Sequence, residues 1–119
     1  MKRISLIAIA VFCAMGTQIS FGAVKTLYAT NVERLVTTSD GTFGGCMAQI
    51  DKDAGMGCKN DYVTVDCKGM HTSPADAYKV FELLQIAYVM NRPVNLRVNS
   101  DRRHSGYCLA ERVYLREGG

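Results

Sequence analysis

The densest cluster of polar side chains in the sequence lies in a short segment near the C-terminus. Its members that could bind a ligand are a carboxylate, two guanidinium groups, an imidazole and a phenol ring: Asp101, Arg102, Arg103, His104 and Tyr107. Paired guanidinium groups form bidentate hydrogen bonds with carboxylates, and a neighbouring aromatic ring offers a face on which a sugar can stack. The segment therefore predicts a binding site for an acidic glycan, such as one that carries sialic acid. The alternative is a solvated hairpin loop whose charges serve solubility.

Two other kinds of site have less support in the sequence. The run from Asp51 to Gly55 resembles the start of a calcium-binding loop, but Tyr62 stands at the position where such a loop ends in a glutamate ligand. The alternative for this run is a polar loop between two strands. No serine lies in a Gly-x-Ser-x-Gly sequence, and neither His71 nor His104 has an evident carboxylate partner. We therefore predict a protein that is not an enzyme and that has no metal site and no cofactor.

The first 22 residues have the organisation of a secretory signal peptide. Lys2 and Arg3 form a positively charged start, and an apolar run follows from Ile4 to Met15. Ser20 and Gly22 then place small residues at the −3 and −1 positions of a cleavage site. The sequence therefore predicts an exported protein, either periplasmic or secreted.

Residues 23–119 would form a single small domain after removal of this segment. The loss of Lys2 and Arg3 lowers the formal net charge from +3 to +1, which is too small for the electrostatic attraction that binds nucleic acids. No apolar stretch in this domain reaches the length of about 18 residues that a membrane span needs. We expect neither a membrane span nor a nucleic-acid partner.

The cysteines of this domain indicate two disulfides. Four are present, Cys46, Cys58, Cys67 and Cys108, and an even number in a small exported domain is typical of a disulfide framework. A structural zinc site is the competing interpretation. It is disfavoured because there is no Cys-x-x-Cys pair and the histidines lie far apart in the sequence.

The remaining patterns predict one helix and five strands. The helix has clear signals at both ends: Ser73 is a suitable N-cap and Pro74 a suitable first helical residue. Asn91 suits the left-handed position after the helix, and Pro93 prevents its continuation. The strands alternate in hydropathy or are rich in β-branched residues between turn signals, and are expected at 26–38, 43–50, 62–67, 94–99 and 107–115.

The order β-β-β-α-β-β is that of the OB-fold, a small closed barrel. We therefore predict a mainly β protein with one helix, folded as a small five-stranded OB-fold-like barrel. The alternative is an open five-stranded sheet with the helix on one face. In the barrel, Cys46 near the start of the second strand lies opposite Cys67 near the end of the third. The third and fifth strands run parallel, which brings Cys58, just before the third strand, within reach of Cys108 at the start of the fifth. The predicted disulfides are therefore Cys46–Cys67 and Cys58–Cys108.

Two resemblances to known proteins can be identified. The segment from Ala75 to Leu115, with LQIAYVMNRPVNLRV and AERVYL, resembles the C-terminal half of OB-fold B subunits of AB5 toxins of the cholera and subtilase types. A closer resemblance is to small exported proteobacterial proteins of unknown function, with shared patterns at 44–48, 63–69, the helix up to Tyr88, and 106–110. The first resemblance implies an OB-fold, a ring of subunits and glycan binding. The second implies no particular activity.

These observations lead to two hypotheses about function. The first is a non-catalytic binding module that recognises a host or envelope glycan through the segment 101–107, either alone or as a pentameric ring of B-subunit type. In such a ring, the subunit contacts would come from Tyr114 and from a second apolar side of the helix, with Leu83, Ile86 and Met90. The alternative is a monomeric periplasmic structural or inhibitory protein that contacts another protein.

Overall fold

The computed structural model describes residues 24–116, so the predicted signal peptide and its cleavage site lie outside the described residues. The described residues form six strands, one α-helix and a short 3-10 turn. In chain order these are β1 (Val24–Thr30), β2 (Val32–Thr37), the 3-10 turn (Thr42–Gly44), β3 (Cys46–Ile50), β4 (Tyr62–Thr64), α1 (Pro74–Met90), β5 (Val94–His104) and β6 (Tyr107–Leu115). Between residues 24 and 116, no helix has the length and hydropathy of a membrane span.

All six strands belong to one sheet, in the order β1-β5-β6-β4-β3-β2. Neighbouring strands are antiparallel except β4 and β6, which run parallel where Thr64 faces Leu109. The fold is therefore mainly β with one helix, as predicted. The sheet has six strands instead of the predicted closed barrel of five, because the first predicted strand is divided at Asn31 into β1 and β2.

The division at Asn31 has a local cause in the backbone. Ala29 adopts a left-handed conformation with a φ of 51°, and the register of β1 against β5 shifts between Leu27 and Thr30. The buried hydroxyl of Thr30 donates a hydrogen bond of 3.0 Å to the carbonyl oxygen of Leu27 within this irregular segment. The two halves then pair with different neighbours, β1 with β5 and β2 with β3.

The helix packs over β6, β2 and β3 and covers one side of the core. Its ends are as predicted: Ser73 Oγ accepts a hydrogen bond of 3.2 Å from the Asp76 N–H, and Asn91 follows the helix with a φ of 54°. The buried residues of the helix recur every three or four positions, at Ala77, Phe81, Leu84 and Ala87. A fully buried Phe or Leu side chain contributes about 1.5–3 kcal/mol to folding, so packing as well as capping holds the helix in place.

The segment predicted as a polar loop before the last strand is mostly part of a β-hairpin. β5 extends to His104, and Ser105 and Gly106, both with positive φ, form the turn into β6. Two successive residues with positive φ are typical of tight turns that match the twist of a hairpin. The strand is irregular shortly before this turn, because the register of β5 against β6 shifts between Asn99 and Arg103.

A further irregularity lies at Glu111 in β6. The register against β5 shifts between Arg97 and Val98, which leaves Glu111 as an extra residue in a β-bulge. Its carboxylate accepts a hydrogen bond of 3.1 Å from Arg97 Nε. Ala110 before the bulge and Val113 after it both face the core, although simple alternation would place them on opposite faces.

Both predicted disulfides are present. Cys46 at the start of β3 is bonded to Cys67 after β4, and the two Cα atoms are 5.5 Å apart. Cys58 in the loop before β4 is bonded to Cys108 in β6, with a Cα separation of 5.4 Å. The two bonds close segments of 21 and 50 residues, so the second restricts the unfolded chain more than the first.

We predict that reduction of both disulfides lowers the Tm by about 15 °C or more. Closing segments of these lengths contributes about 3 and 4 kcal/mol in the chain-entropy description, and about 1 kcal/mol corresponds to roughly 4–8 °C in a domain of this size. Circular dichroism melts with and without a reductant measure the change. The double variant Cys58→Ala/Cys108→Ala should lose more stability than Cys46→Ala/Cys67→Ala. An unchanged Tm after complete reduction would contradict this framework.

Candidate functional site

The structure places the five residues of the predicted site in three different environments. Asp101 and Arg102 are exposed at the irregular end of β5. Arg103 is half-buried and His104 is buried, and both contact other parts of the protein. Tyr107 begins β6 and packs against other aromatic rings. Each environment allows a different role.

Arg103 is bound to backbone carbonyl groups. Its Nε donates to the Ser100 oxygen at 2.6 Å. Its Nη1 and Nη2 donate to the oxygens of Gly57 and Met56 at 2.9 and 3.2 Å. Ser100 lies in β5, whereas the other two residues lie in the loop between β3 and β4. The guanidinium group of Arg103 therefore fastens this loop to the β5–β6 hairpin.

His104 is paired with a buried carboxylate. Its Nε2 atom lies 2.6 Å from Oδ1 of Asp66, whose side chain is completely buried. The Asp66 carboxylate also accepts hydrogen bonds of 3.0, 2.6 and 2.8 Å from the backbone N–H groups of Met70, His71 and Thr72. Asp66 has a φ of 70°, and the chain turns back around its carboxylate. A buried carboxylate requires donors of this kind.

The expectation that neither histidine has a carboxylate partner is therefore wrong for His104. The two partners are 38 residues apart in the chain, so no local pattern could identify the pair. His71 lies beside it, with its ring centroid 5.1 Å from that of His104. His71 Nε2 is 3.1 Å from the Arg103 carbonyl oxygen, and since that oxygen can only accept, this nitrogen is the donor. The one feature of the sequence that could have indicated such a pair is the position of Asp66 at the end of an apolar strand, because a carboxylate buried there needs a partner.

The hydrogen bonds of Asp66 also determine its protonation. Burial by itself would raise the pKa of Asp66, because it disfavours the charged form. The hydrogen bonds from His104 and from the three backbone N–H groups outweigh this effect and lower the pKa below its usual value. Because His104 is only 8% exposed and Asp66 is not exposed at all, the geometry favours a structural role for the pair over acid–base chemistry on a substrate.

Three aromatic residues, Phe43, Tyr62 and Tyr107, form a contiguous group that we call the aromatic strip. Tyr107 lies between the other two: its ring centroid is 5.7 Å from that of Phe43 and 6.1 Å from that of Tyr62, both in edge-to-face geometry. The ammonium group of Lys59 lies 5.0 Å from the centroid of the Tyr107 ring. All three aromatic side chains are half-buried, so the strip is both fixed by packing and accessible.

Phe43 is held in the strip by a strained turn. Its φ is 57°, a conformation that costs a non-glycine residue about 1–3 kcal/mol. The hydroxyl of Thr64 donates a hydrogen bond of 2.7 Å to the Phe43 carbonyl oxygen and so anchors the turn to β4. Gly44 is required next to it, because a Cβ there would collide with the Thr64 hydroxyl and the His104 ring. The Thr64 hydrogen bond and the close packing around Gly44 therefore compensate for the strained backbone of Phe43, which places its ring in the strip.

Polar side chains border the strip at Tyr62. Arg34 Nη1 donates to Tyr62 Oη at 3.5 Å, and Tyr62 Oη in turn donates to Gln49 Oε1 at 3.4 Å. Gln49 Nε2 donates to Asp61 Oδ2 at 3.2 Å. Guanidinium, amide and carboxylate groups are the donors and acceptors that hydroxyl groups of a ligand can meet. The strip therefore combines apolar rings with a polar rim.

The run resembling a calcium loop uses its carboxylates within the protein. Asp51 accepts hydrogen bonds of 2.8 and 2.9 Å from the backbone N–H and the side-chain amide of Asn31. Asp53 Oδ1 accepts one of 3.0 Å from the Gly55 N–H. In the described range, no group of three or more His, Cys, Asp or Glu side chains could hold a metal ion. The two carboxylates therefore stabilise the loop itself and attach it to Asn31.

Comparison of the chain with protein-family models, with curated proteins and with solved structures gives no match. A fold does not by itself determine a function. The function must therefore be inferred from the geometry and chemistry of the residues described above.

We predict that Asp66→Asn lowers the free energy of unfolding at pH 7 by about 3 kcal/mol, because the amide cannot carry the charge that the buried donors stabilise. Folding lowers the pKa of Asp66 from its ordinary value of 3.8. The carboxylate therefore contributes stability that is present above this value and is lost as the pH falls through the lowered pKa. Urea unfolding at a series of pH values measures this effect. As the pH falls below about 4, the free energy of unfolding should decrease less in the variant than in the wild type.

The matched control for this measurement is Asp101→Asn, which removes an exposed carboxylate from β5. Its free energy of unfolding at pH 7 should equal that of the wild type. If Asp66→Asn and the wild type lost stability in parallel as the pH fell, the role assigned to the Asp66 carboxylate would be contradicted.

Proposed function

We propose that this protein is a non-catalytic binding module that recognises a glycan, and that the aromatic strip is its binding surface. The observation that carries the proposal is the contact of three half-buried rings through Tyr107, bordered by guanidinium, amide and carboxylate groups. Sugars present an apolar C–H face together with hydroxyl groups, and this surface offers partners for both. Tyr107 is the member of the predicted loop site that belongs to the strip.

The other residues of the predicted loop support this surface in different ways. Arg103 fastens the loop before β4, and His104 positions the turn that carries Phe43 because its ring lies against Gly44. Asp101 and Arg102 are exposed, and in this proposal they contact charged groups of a larger glycan.

The architecture favours the same surface. In this proposal the sheet is an OB-type barrel in which β1 and β2 act as one bent first strand. These two strands occupy opposite edges of the sheet, yet only Asn31 separates them in the chain, so the edges meet at that point. OB-folds bind oligosaccharides on the face of their second and third strands, which correspond here to β3 and β4. Gln49 and Tyr62, which face each other across these strands, belong to the rim and the strip.

The proposal places the protein in the periplasm or outside the cell. The signal-peptide pattern of the first 22 residues supports export. Two disulfides in a domain of this size are typical of oxidising compartments.

A second surface favours contact with other protein chains. Ile86, Val89, Met90 and Tyr114 are exposed, with Val89 at 79%, whereas Leu83 is half-buried and packs against the core. In a pentameric ring of B-subunit type, the exposed side chains would be subunit contacts. The alternative function is a monomeric periplasmic structural or inhibitory protein that uses this surface for another protein.

We predict that Tyr107→Ala weakens glycan binding at least tenfold, since loss of a stacking ring at the centre of a site costs about 1.4 kcal/mol or more. A glycan microarray with the oxidised wild-type protein identifies the ligand, and titration of that glycan gives the Kd values. Tyr88→Ala, which removes an exposed phenol from α1, is the matched control and should bind as the wild type does. Absence of binding to every glycan, or equal loss in both variants, would overturn the proposal.

We further predict that native mass spectrometry of the oxidised protein detects a pentamer, because the resemblance to AB5 B subunits implies such a ring and the exposed Val89 and Met90 side chains are available for its contacts. The double variant Val89→Ser/Met90→Ser should then be monomeric without a lower Tm. A wild-type monomer at all concentrations would exclude the ring and favour the alternative function.

A further inference from the structure

A groove with a volume of about 340 Å³ opens beside the turn that carries Phe43. The turn after β2, the segment after β4 and one side of α1 form its walls. The lining residues are Thr38, Ser39, Asp40, Gly41, Gly45, Cys67, Lys68 and Tyr78. Its volume lies at the lower end of the range for small-molecule sites. The groove is separate from the aromatic strip.

Lys68 is the cation of this groove. Its backbone N–H donates a hydrogen bond of 2.8 Å to the Gly44 oxygen. Its side chain extends over Gly41, where a Cβ would lie only 3.2 and 3.3 Å from Cδ and Cε. Gly41 has a φ of 83°. A glycine at this position therefore permits the turn and also leaves room for the Lys68 side chain. The side chain of Lys68 therefore lies beside this turn, and the residue is exposed.

Asp40 is the anion of the groove. Its Oδ1 accepts hydrogen bonds from both the N–H and the hydroxyl of Thr42, at 3.0 and 2.5 Å. These hydrogen bonds lower the pKa of Asp40, and the one from the hydroxyl has the larger effect. The carboxylate is therefore charged at neutral pH. The Thr38 side chain also contributes a hydrogen bond to this carboxylate. The Asp40 side chain is exposed and can accept further hydrogen bonds from a ligand.

The two charged side chains line the same groove but do not pair. Lys68 Nζ is 3.6 Å from the position of a Cβ on Gly41, the residue next to Asp40. Within the described part of the chain, however, no ion pair of 4.0 Å or less involves either Lys68 or Asp40. The hydrogen bonds to Thr42 hold the carboxylate in its own position. The groove is therefore lined by one positive and one negative side chain that do not form an ion pair with each other.

We infer that the groove binds a free α-amino acid, whose carboxylate pairs with Lys68 and whose ammonium group pairs with Asp40. This class of ligand carries both charged groups on one carbon atom, which suits a groove lined by two side chains of opposite charge that do not pair with each other. The ring of Tyr78, 52% exposed on α1, offers an apolar face for the ligand's side chain. The inference does not depend on glycan binding by the strip.

The test is a titration of the isotope-labelled oxidised protein with L-phenylalanine, L-alanine, N-acetyl-L-phenylalanine and L-phenylalanine amide, followed by NMR. The free amino acids should shift the backbone signals of Ser39, Gly41 and Lys68, with phenylalanine binding more tightly than alanine. The N-acetyl and amide analogues each lack one charge and should bind at least tenfold more weakly. Equal binding of all four compounds, or no shifts at the solubility limit, would overturn the inference.

Two variants assign the charges. Lys68→Gln should abolish the preference for the free acid over the amide, and Asp40→Asn should abolish the preference for the free amine over the N-acetyl compound. Lys25→Gln, which changes an exposed lysine of β1, is the matched control and should leave both preferences intact. A titration with glucuronic acid tests whether the ligand of the groove is an acidic sugar instead of an amino acid. If it shifts the groove signals and the amino acids do not, the groove binds an acidic sugar and the inference is wrong.

Discussion

A buried carboxylate surrounded by donors is the constraint on which the rest of this structure depends. The Asp66 side chain has no solvent-accessible surface, and an ionised group in such a position is tolerated only where hydrogen bonds replace the lost hydration. The donors come from the backbone of residues 70–72, which leads into α1, and from His104 at the end of β5. One side chain therefore fixes the start of the helix and the position of the hairpin. The same side chain fixes the turn at Gly44 indirectly, because this turn lies against the His104 ring.

Features encoded locally could be predicted from the sequence, whereas those that depend on distant pairing could not. The helix ends were predictable because Ser73 and Asn91 act on the backbone within a few residues. The disulfide pairs followed from the strand order. The contact between Asp66 and His104 could not be predicted, because the two residues are brought together only by the completed sheet.

The candidate site was predictable only in part, and strand irregularities are the reason. Hydropathy patterns locate a strand but do not reveal where its register shifts, as at Ala29 and Glu111. Of the predicted loop site, Tyr107 alone belongs to the aromatic strip. Its neighbours Phe43 and Tyr62 come from segments 45 to 64 residues earlier in the chain, and the strained φ of Phe43 has no signature in residue type.

Arg103 binds the backbone oxygens of its neighbours and touches none of their side chains through hydrogen bonds. Every amino acid carries the same carbonyl group, so these hydrogen bonds require a particular residue only at the guanidinium end, whereas the Cys58–Cys108 disulfide of the same loop requires both of its residues. A substitution at Met56 would therefore keep the hydrogen bond that its carbonyl group accepts, although it would change a side chain that packs against the core. The path of the loop before β4 is thus set by one disulfide and by hydrogen bonds to backbone groups, and the only side chain that this attachment requires in the loop is that of Cys58.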